Sequence, residues 1–245
     1  IWAGIMAPKP ALYWFIGTST ELQFDTYLDG NAPDRNILLA LLFLGLITLV
    51  KRGFSWGTFV SNNRLLLLFY LYLAASMLWA EYPFVAFKRY IKDIGNVLML
   101  LVILTEKQPV EAIRRVFVRC AYVLVPLSVL FIKYYPEIGR YYHRWTYQAM
   151  YSGVTTNKNS LGVLAMMSAL FLLWSVIEAQ QKQRITGRIG ALINEGAVVA
   201  MCVWLLRKAD SATSLACLVV GSATLFACRL KYARTSPRLI TWCMF

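Results

Sequence analysis

"NILLALLFLGLITLV", residues 36–50, runs for fifteen positions without a charged side chain. A helix apolar on every side is buried in a large core or faces lipid. The rest of the chain decides between the two. Of its 245 residues 59% are hydrophobic and only 15% charged, where a soluble domain carries about a quarter charged residues. Mean hydropathy is +0.55. Further apolar runs occupy 65–80, 94–105, 113–132, 160–177, 190–206 and 212–229, and a first one, 1–17, is interrupted by Pro8 and Pro10. Several fall short of the ~20 residues of a full span, so their ends draw on the flanking loops. Lipid offers the backbone no hydrogen-bond partner, so the runs are expected to be helices. The expected fold is all-α, a polytopic transmembrane bundle of about seven to eight membrane helices. Residues 1–245 form one integral membrane domain in this reading. Ile1 at the start and an apolar run, "RLITWCMF", that stops short suggest a piece of a longer chain. No signal peptide is expected, because the first run lacks a basic start.

The formal net charge of +13 would suggest nucleic acid in a soluble protein. In a membrane protein it suggests loops held against anionic lipid, so membrane lipids and not nucleic acid are the expected partners. The five cysteines form no CxxC pair and read as small buried hydrophobes. His143 is the single histidine, which excludes a His-rich metal site; no metal and no cofactor are expected.

Alternating the runs sets the orientation. The loops 51–64, 106–119, 178–189 and 229–239 hold fourteen of the 25 Lys and Arg. By the positive-inside rule they are cytoplasmic. The multi-pass chain is then expected in a bacterial cytoplasmic membrane, with "YPFVAFKRYIKD" (82–93), the loop 133–159 and "LLRKADSATS" (205–214) facing the periplasm or exterior. An ordinary outer loop is "TSTELQFDTYLDGNAPDR" (18–35), with four acids and one Arg. The later outer loops are different: Lys88, Arg89, Lys92, Arg140, Arg144 and Lys158 lie near helix ends. Each alone reads as a residue reaching for the interface beside a Trp/Tyr belt. Together they oppose insertion, and suggest a cationic, aromatic-lined cavity for an anionic ligand. Arg offers a planar fork for phosphate oxygens and Lys a compact charge, which suits a phosphate or pyrophosphate headgroup at the membrane surface. The aromatics of "YYHRWTYQAMY" (141–151) either stack on sugar faces or form an interfacial belt. In "SGVTTNKNSLG" (152–162), Gly153 permits a turn. Thr155, Thr156 and Asn157 are turn and cap types before a helix expected near Ser160. Backbone N–H groups at that helix start would add donors for an anion beside Lys158 and Asn159.

"GVTTNKNSLG" (153–162), after an aromatic- and Arg-bearing loop, resembles the Gly-x-x-x-x-Lys-Asn-x-x-Gly segment of the O-antigen ligase and polymerase superfamily, nearest its exopolysaccharide-production branch. "SMLWAEYPFVAFKR" (76–89) and "KADSATSLACLVVG" (208–221) resemble two further stretches of that family, in the same order. The resemblance covers the chain from about residue 36 onward. It implies a metal-independent, inverting glycosyltransferase. Such an enzyme moves a glycan from a polyprenyl-pyrophosphate carrier to an acceptor hydroxyl of a glycan, lipid or protein at the outer membrane face. It also implies that a large later loop bearing a functional Arg and His has no counterpart before residue 245, so that the chain holds the earlier half of a site.

In the expected chemistry negative charge grows on the diphosphate leaving group, and preorganised cations are the remedy. Arg144 ranks first as the catalytic cation. Lys158 and Arg140 follow as substrate-binding groups, with Arg89 and Lys88 behind them. Asn159 either orients Lys158 or binds a sugar hydroxyl. His143 has the ordinary titration range of a general base, although the family's functional His belongs to the later loop. Asp210 and Ser211, at a helix start, read as capping residues. The competing readings are a transporter or flippase for an anionic or lipid-linked solute and a noncatalytic subunit of an envelope assembly.

Overall fold

The computed structural model of the chain describes residues 32–142, 147–181 and 188–228. These residues are 83% helical and divide after Ile113 into two compact units. The run at 1–17, the loop up to residue 31, the apolar stretch at 238–245, and His143 and Arg144 lie outside them.

In the N-terminal unit, α1 (Ala32–Lys51) is the apolar run that opened the sequence, extended at both ends. It stops at Gly53, whose φ of +65° is cheap only for glycine. The Gly53 N–H donates to Val50 O (3.0 Å) and the Phe54 N–H to Leu49 O (3.2 Å). That is the Schellman pattern, and it satisfies two end carbonyls. The chain then turns through 101° into α2 (Trp56–Asn62), so the expected loop 51–64 contains a short helix. Next come α3 (Arg64–Ser76), a 3₁₀ turn (Met77–Trp79) and α4 (Pro83–Leu104). Leu49 of α1 packs with Leu98 and Leu101 of α4. Arg52 ties the same two helices: it donates to Val102 O (2.8 Å) and Thr105 Oγ1 (3.1 Å), and pairs with Glu106.

In the C-terminal unit, α5 (Pro109–Tyr134) is followed by one turn of helix, α6 (Pro136–Gly139). A hairpin comes next: β1 (Arg140–Tyr142) pairs antiparallel with β2 (Ala149–Tyr151), Arg140 opposite Tyr151. Three helices complete the unit: α7 (Lys158–Gln181), α8 (Arg188–Ala209) and α9 (Ala212–Ala227). The core joins Val125 and Ile132 of α5, Leu161, Ala165 and Leu172 of α7, and Cys202 and Leu205 of α8. Phe117 of α5 stacks on Phe171 of α7, with centroids 4.2 Å apart and planes 2° apart. α7 therefore sits between its neighbours, with β2 laid against α7 and α8.

The all-α expectation holds, but the number of spans is corrected. Among the described residues two helices, α5 and the Lys158–Glu178 part of α7, are long and apolar enough to cross a membrane. A third joins them if bent α1–α2 is one span. The shortfall has local causes. α3 and α9 have 13 and 16 residues, below the ~20 of a span. α4 is long enough, but its first half holds Lys88, Arg89, Lys92 and Asp93. The same helix corrects the reading of 82–93 as a loop: Pro83 sits at its first position and the basic residues lie within it.

Candidate functional site

The hairpin end of the C-terminal unit carries the richest grouping of polar and cationic side chains. It starts where α5 stops. The last four carbonyls of a helix have no partner within it, and Arg140 supplies one: its Nε and Nη2 donate to Ile132 O at 3.0 and 2.7 Å. This is possible because α6 folds straight back on α5. Gly139 is buried there, and a Cβ on it would run into the backbone of Phe131 and Ile132.

Pairing across the hairpin brings Tyr151 next to Arg140, whose guanidinium carbon lies 5.5 Å from the ring centroid. From α8, the Lys208 ammonium lies 5.0 Å from the same centroid and 5.8 Å from that of Trp204. Rings attract cations through their negative faces, by roughly 0.5–1 kcal/mol at exposed sites. The two cationic centres are thus no more than about 10.5 Å apart. At an effective dielectric near ~20, like charges at that separation repel by on the order of 1–2 kcal/mol. Neither makes an ion pair among the described residues, unlike Arg52 with Glu106 and Arg114 with Glu178.

Lys158 enters from the third side. It is the first residue of α7, and its backbone N–H donates to the Tyr141 hydroxyl of β1 at 3.3 Å. The loop before it is built from the polar residues of "SGVTTN". Gly153 has a φ of +53°, and a Cβ there would lie 2.9 Å from Ser128 Cβ. Ser128 Oγ donates to Leu124 O (2.7 Å) and accepts the Val154 N–H (3.4 Å). Thr155 Oγ1 is 2.7 Å from Ser152 O. Asn157 Oδ1 accepts the Ser160 N–H at 2.8 Å. Asn157 is therefore the cap, and α7 begins at Lys158, two residues before the expected start.

Cations at the C-termini of α5 and α8 have a bland explanation, since the helix dipole is negative there. Lys158 does not. It stands at a helix N-terminus, where the dipole favours a carboxylate by roughly 0.3–1 kcal/mol, and the first turn of α7 holds no acid. The dipole thus leaves Lys158 as either a residue reaching for the interface or a part of an anion site.

The expected site residues thus divide. Arg140 and Lys158 share the hairpin, Arg140 as a strand residue and Lys158 through the Tyr141 contact. Asn159 is exposed and makes no side-chain hydrogen bond among the described residues, so it does not orient Lys158. Lys88 and Arg89 lie on α4 in the other unit, with Lys88 Nζ 4.5 Å from the Phe84 ring centroid. Arg144 and His143 lie outside the described residues. Ser211 does take the cap position of α9, but its side chain caps no backbone N–H; its Oγ bonds the hydroxyls of Thr213 (3.2 Å) and Ser214 (3.0 Å) instead. Asp210 adopts a positive φ of 47° at the α8–α9 turn. Lys208 and Tyr151 are the functional candidates that sequence reasoning passed over. Lys208 comes from a helix distant in sequence, and only the excess of basic residues at outer helix ends pointed towards it.

No protein-family model, no curated protein and no solved structure matches this chain.

Proposed function

We propose that the hairpin end of the C-terminal unit binds the phosphate or pyrophosphate headgroup of a lipid-linked glycan, and that the chain belongs to an enzyme transferring that glycan to an acceptor hydroxyl. The reaction is that of the O-antigen ligases and polymerases which the sequence resembles, run at the outer face of a bacterial cytoplasmic membrane. One observation carries the reading: Arg140 and Lys208 converge on Tyr151, and neither makes an ion pair among the described residues. The two bonds to Ile132 O occupy two of the five guanidinium N–H groups of Arg140. The others remain for an anion that also relieves the repulsion between the cations. In the transfer the anomeric carbon–oxygen bond to the diphosphate breaks as the acceptor oxygen bonds that carbon from the opposite side. The acceptor proton passes to a base, and the cations hold the charge left on the diphosphate. Arg144, on the same hairpin connection by sequence, remains the proposed catalytic cation, with His143 as the proposed base.

The test is binding of inorganic pyrophosphate, then glycan transfer from a polyprenyl-pyrophosphate donor, with Lys208→Ala and Arg140→Ala proteins that insert normally. Losses of tenfold or more in both support the reading. Transfer at the parental rate in both variants overturns it. The transporter reading draws on Glu195, a carboxyl within α8 that accepts a hydrogen bond from Ser175 of α7 at 3.3 Å, since ionisable groups inside helical bundles mark solute or proton paths. Glu195→Gln that blocks uptake into vesicles, without touching glycan transfer, would favour it.

A further inference from the structure

In the N-terminal unit, at the end where Arg52 ties α1 to α4, the chain makes an elbow. α1 ends at Lys51, the chain turns through 101° into α2, and α3 follows from Arg64. Helices shorter than about 12–15 residues are marginal in water by themselves. α2 has seven residues, none of them buried, so packing within the unit does little to hold it. Its sequence is two-sided. Trp56, Phe59 and Val60 share one face at i, i+3 and i+4, and Gly57, Thr58, Ser61 and Asn62 take the other. Phe59 packs partly against the Leu49, Leu98 and Leu101 cluster, whereas Trp56 and Val60 are 42% and 40% exposed. Between the apolar face and the helices α3 and α4 lies a cavity of about 250 Å³, walled by Leu66, Leu67, Val97 and Leu101. The apolar face is therefore turned towards the apolar lengths of α3 and α4, and the polar face away from them.

Cations surround this elbow. Lys51 and Arg64 flank α2 in sequence, and the Arg52–Glu106 pair brings Lys107, the next residue, to the same end of the unit. Lys51, Arg64 and Lys107 are exposed, and none of them makes an ion pair among the described residues. The helix dipole accounts for Lys51 at the end of α1 but disfavours Arg64 at the start of α3, whose first turn holds no acid. We propose that the elbow docks on a bilayer surface that carries anionic phospholipid. Trp56 and Val60 enter the boundary between headgroups and hydrocarbon, α2 lies along the surface, and Lys51, Arg64 and Lys107 meet the lipid phosphates. Three features select this occupant. The three cations complement an anionic surface, whose attraction acts on each Lys or Arg within a Debye length. The two-sided α2 matches a helix lying in the interface. The helices on either side of it, α1 and α3, expose Phe43, Leu44, Leu65 and Leu68, which suits hydrocarbon beside the elbow. The contact belongs to the N-terminal unit and does not depend on the anion site at the hairpin.

Trp56 makes the contact directly readable. The full chain is placed in nanodiscs of phosphatidylcholine and phosphatidylglycerol at equal mole fractions, with one lipid or the other brominated near the top of its acyl chains. The Trp56 signal is the emission lost in Trp56→Phe, a change that keeps an aromatic ring beside Phe54. Brominated phosphatidylglycerol should quench that signal at least twofold more than brominated phosphatidylcholine. Joint replacement Lys51→Gln and Arg64→Gln, both at exposed positions, should make the two lipids equal while both still quench. Inorganic phosphate should leave the parental preference unchanged. Equal quenching by the two lipids in the parental protein overturns the anionic commitment. No quenching by either overturns the membrane contact and leaves a second copy or another protein as the cover. A preference that survives the double replacement overturns the role of Lys51 and Arg64, and one that inorganic phosphate abolishes replaces the lipid surface with a site for a soluble ion.

Discussion

The dipeptide Tyr-Pro occurs twice, and its two copies meet opposite fates. Tyr82 precedes Pro83 with φ −125° and ψ 79°, and Tyr135 precedes Pro136 with φ −125° and ψ 71°. Each proline starts a helix, as its fixed φ and missing N–H allow. The first helix, α4, runs for 22 residues and the second, α6, for four. The start signal is the same, so the difference lies downstream. After Pro83 no glycine interrupts until Gly95, and the basic residues ride along the helix. After Pro136, Gly139 arrives at the third position and Arg-Tyr-Tyr follows. Backbone contact with the end of α5 then holds the turn closed, and the chain leaves as a strand. A basic, aromatic segment becomes a helix surface in one unit and a cation-bearing hairpin in the other.

The largest expected effect comes from breaking that turn. Gly139→Ala places a Cβ in the α5 backbone; overpacking of this kind costs about 3 kcal/mol. Thermal unfolding in detergent should register the loss, together with pyrophosphate binding. Gly57→Ala, with no atom within 4 Å of the added Cβ, should leave both unchanged. An equally stable Gly139→Ala protein that keeps its anion affinity would show that the turn does not place Arg140.

Next come the cations. Removing a charged hydrogen-bond donor costs about 1.5–3 kcal/mol, so Lys208→Ala should weaken pyrophosphate binding roughly ten- to a hundredfold by calorimetry. Its effect should shrink at high salt. Arg140→Ala should match it in binding and also lower stability, because Ile132 O loses its donors. Lys88→Ala in the other Tyr-Pro segment sharpens the contrast: a comparable loss of affinity there would mean that α4 also serves the anion.

Arg52→Ala removes the tie between α1 and α4. Both partners of its ion pair are about a third exposed, so the Coulombic part is small. About 1 kcal/mol is expected from the lost bonds to Val102 and Thr105, with no change in anion binding. The smallest effect has a sign that decides between local stability and function. Lys158→Glu puts an acid where the α7 dipole favours one and should stabilise the helix by about 0.5 kcal/mol, while pyrophosphate affinity falls. Unchanged affinity would return Lys158 to the role of an interfacial residue.

Much of the fold could be read directly. Six of the apolar runs, from 36–50 to 212–229, coincide with helices α1, α3, α4, α5, α7 and α9, with ends that move by a few residues or, in α4, by several turns; 190–206 likewise lies inside α8. Beyond the number of spans and the 82–93 stretch, the differences were at the ends, because capping depends on single side chains. Asn157, one of the three cap-type residues expected there, does cap α7, but the helix starts two residues before Ser160. The site was half legible. Arg140 and Lys158 were marked by their place in a basic stretch, whereas Lys88 and Arg89 carried the same mark and fell in another unit. Composition cannot separate these pairs, since charge and neighbouring aromatics look alike in both.

By itself the sequence determined the helical class and the positions of the apolar segments, because burying hydrocarbon and satisfying backbone groups act residue by residue along the chain. It also marked a basic excess around the hairpin. Only the tertiary structure decided that Lys208 would meet Arg140 at the Tyr151 ring, sixty-odd residues apart in sequence, and that Gly139 would shut α6 after one turn. Those outcomes depend on which surfaces pack together, and no pattern within a single segment records its partner.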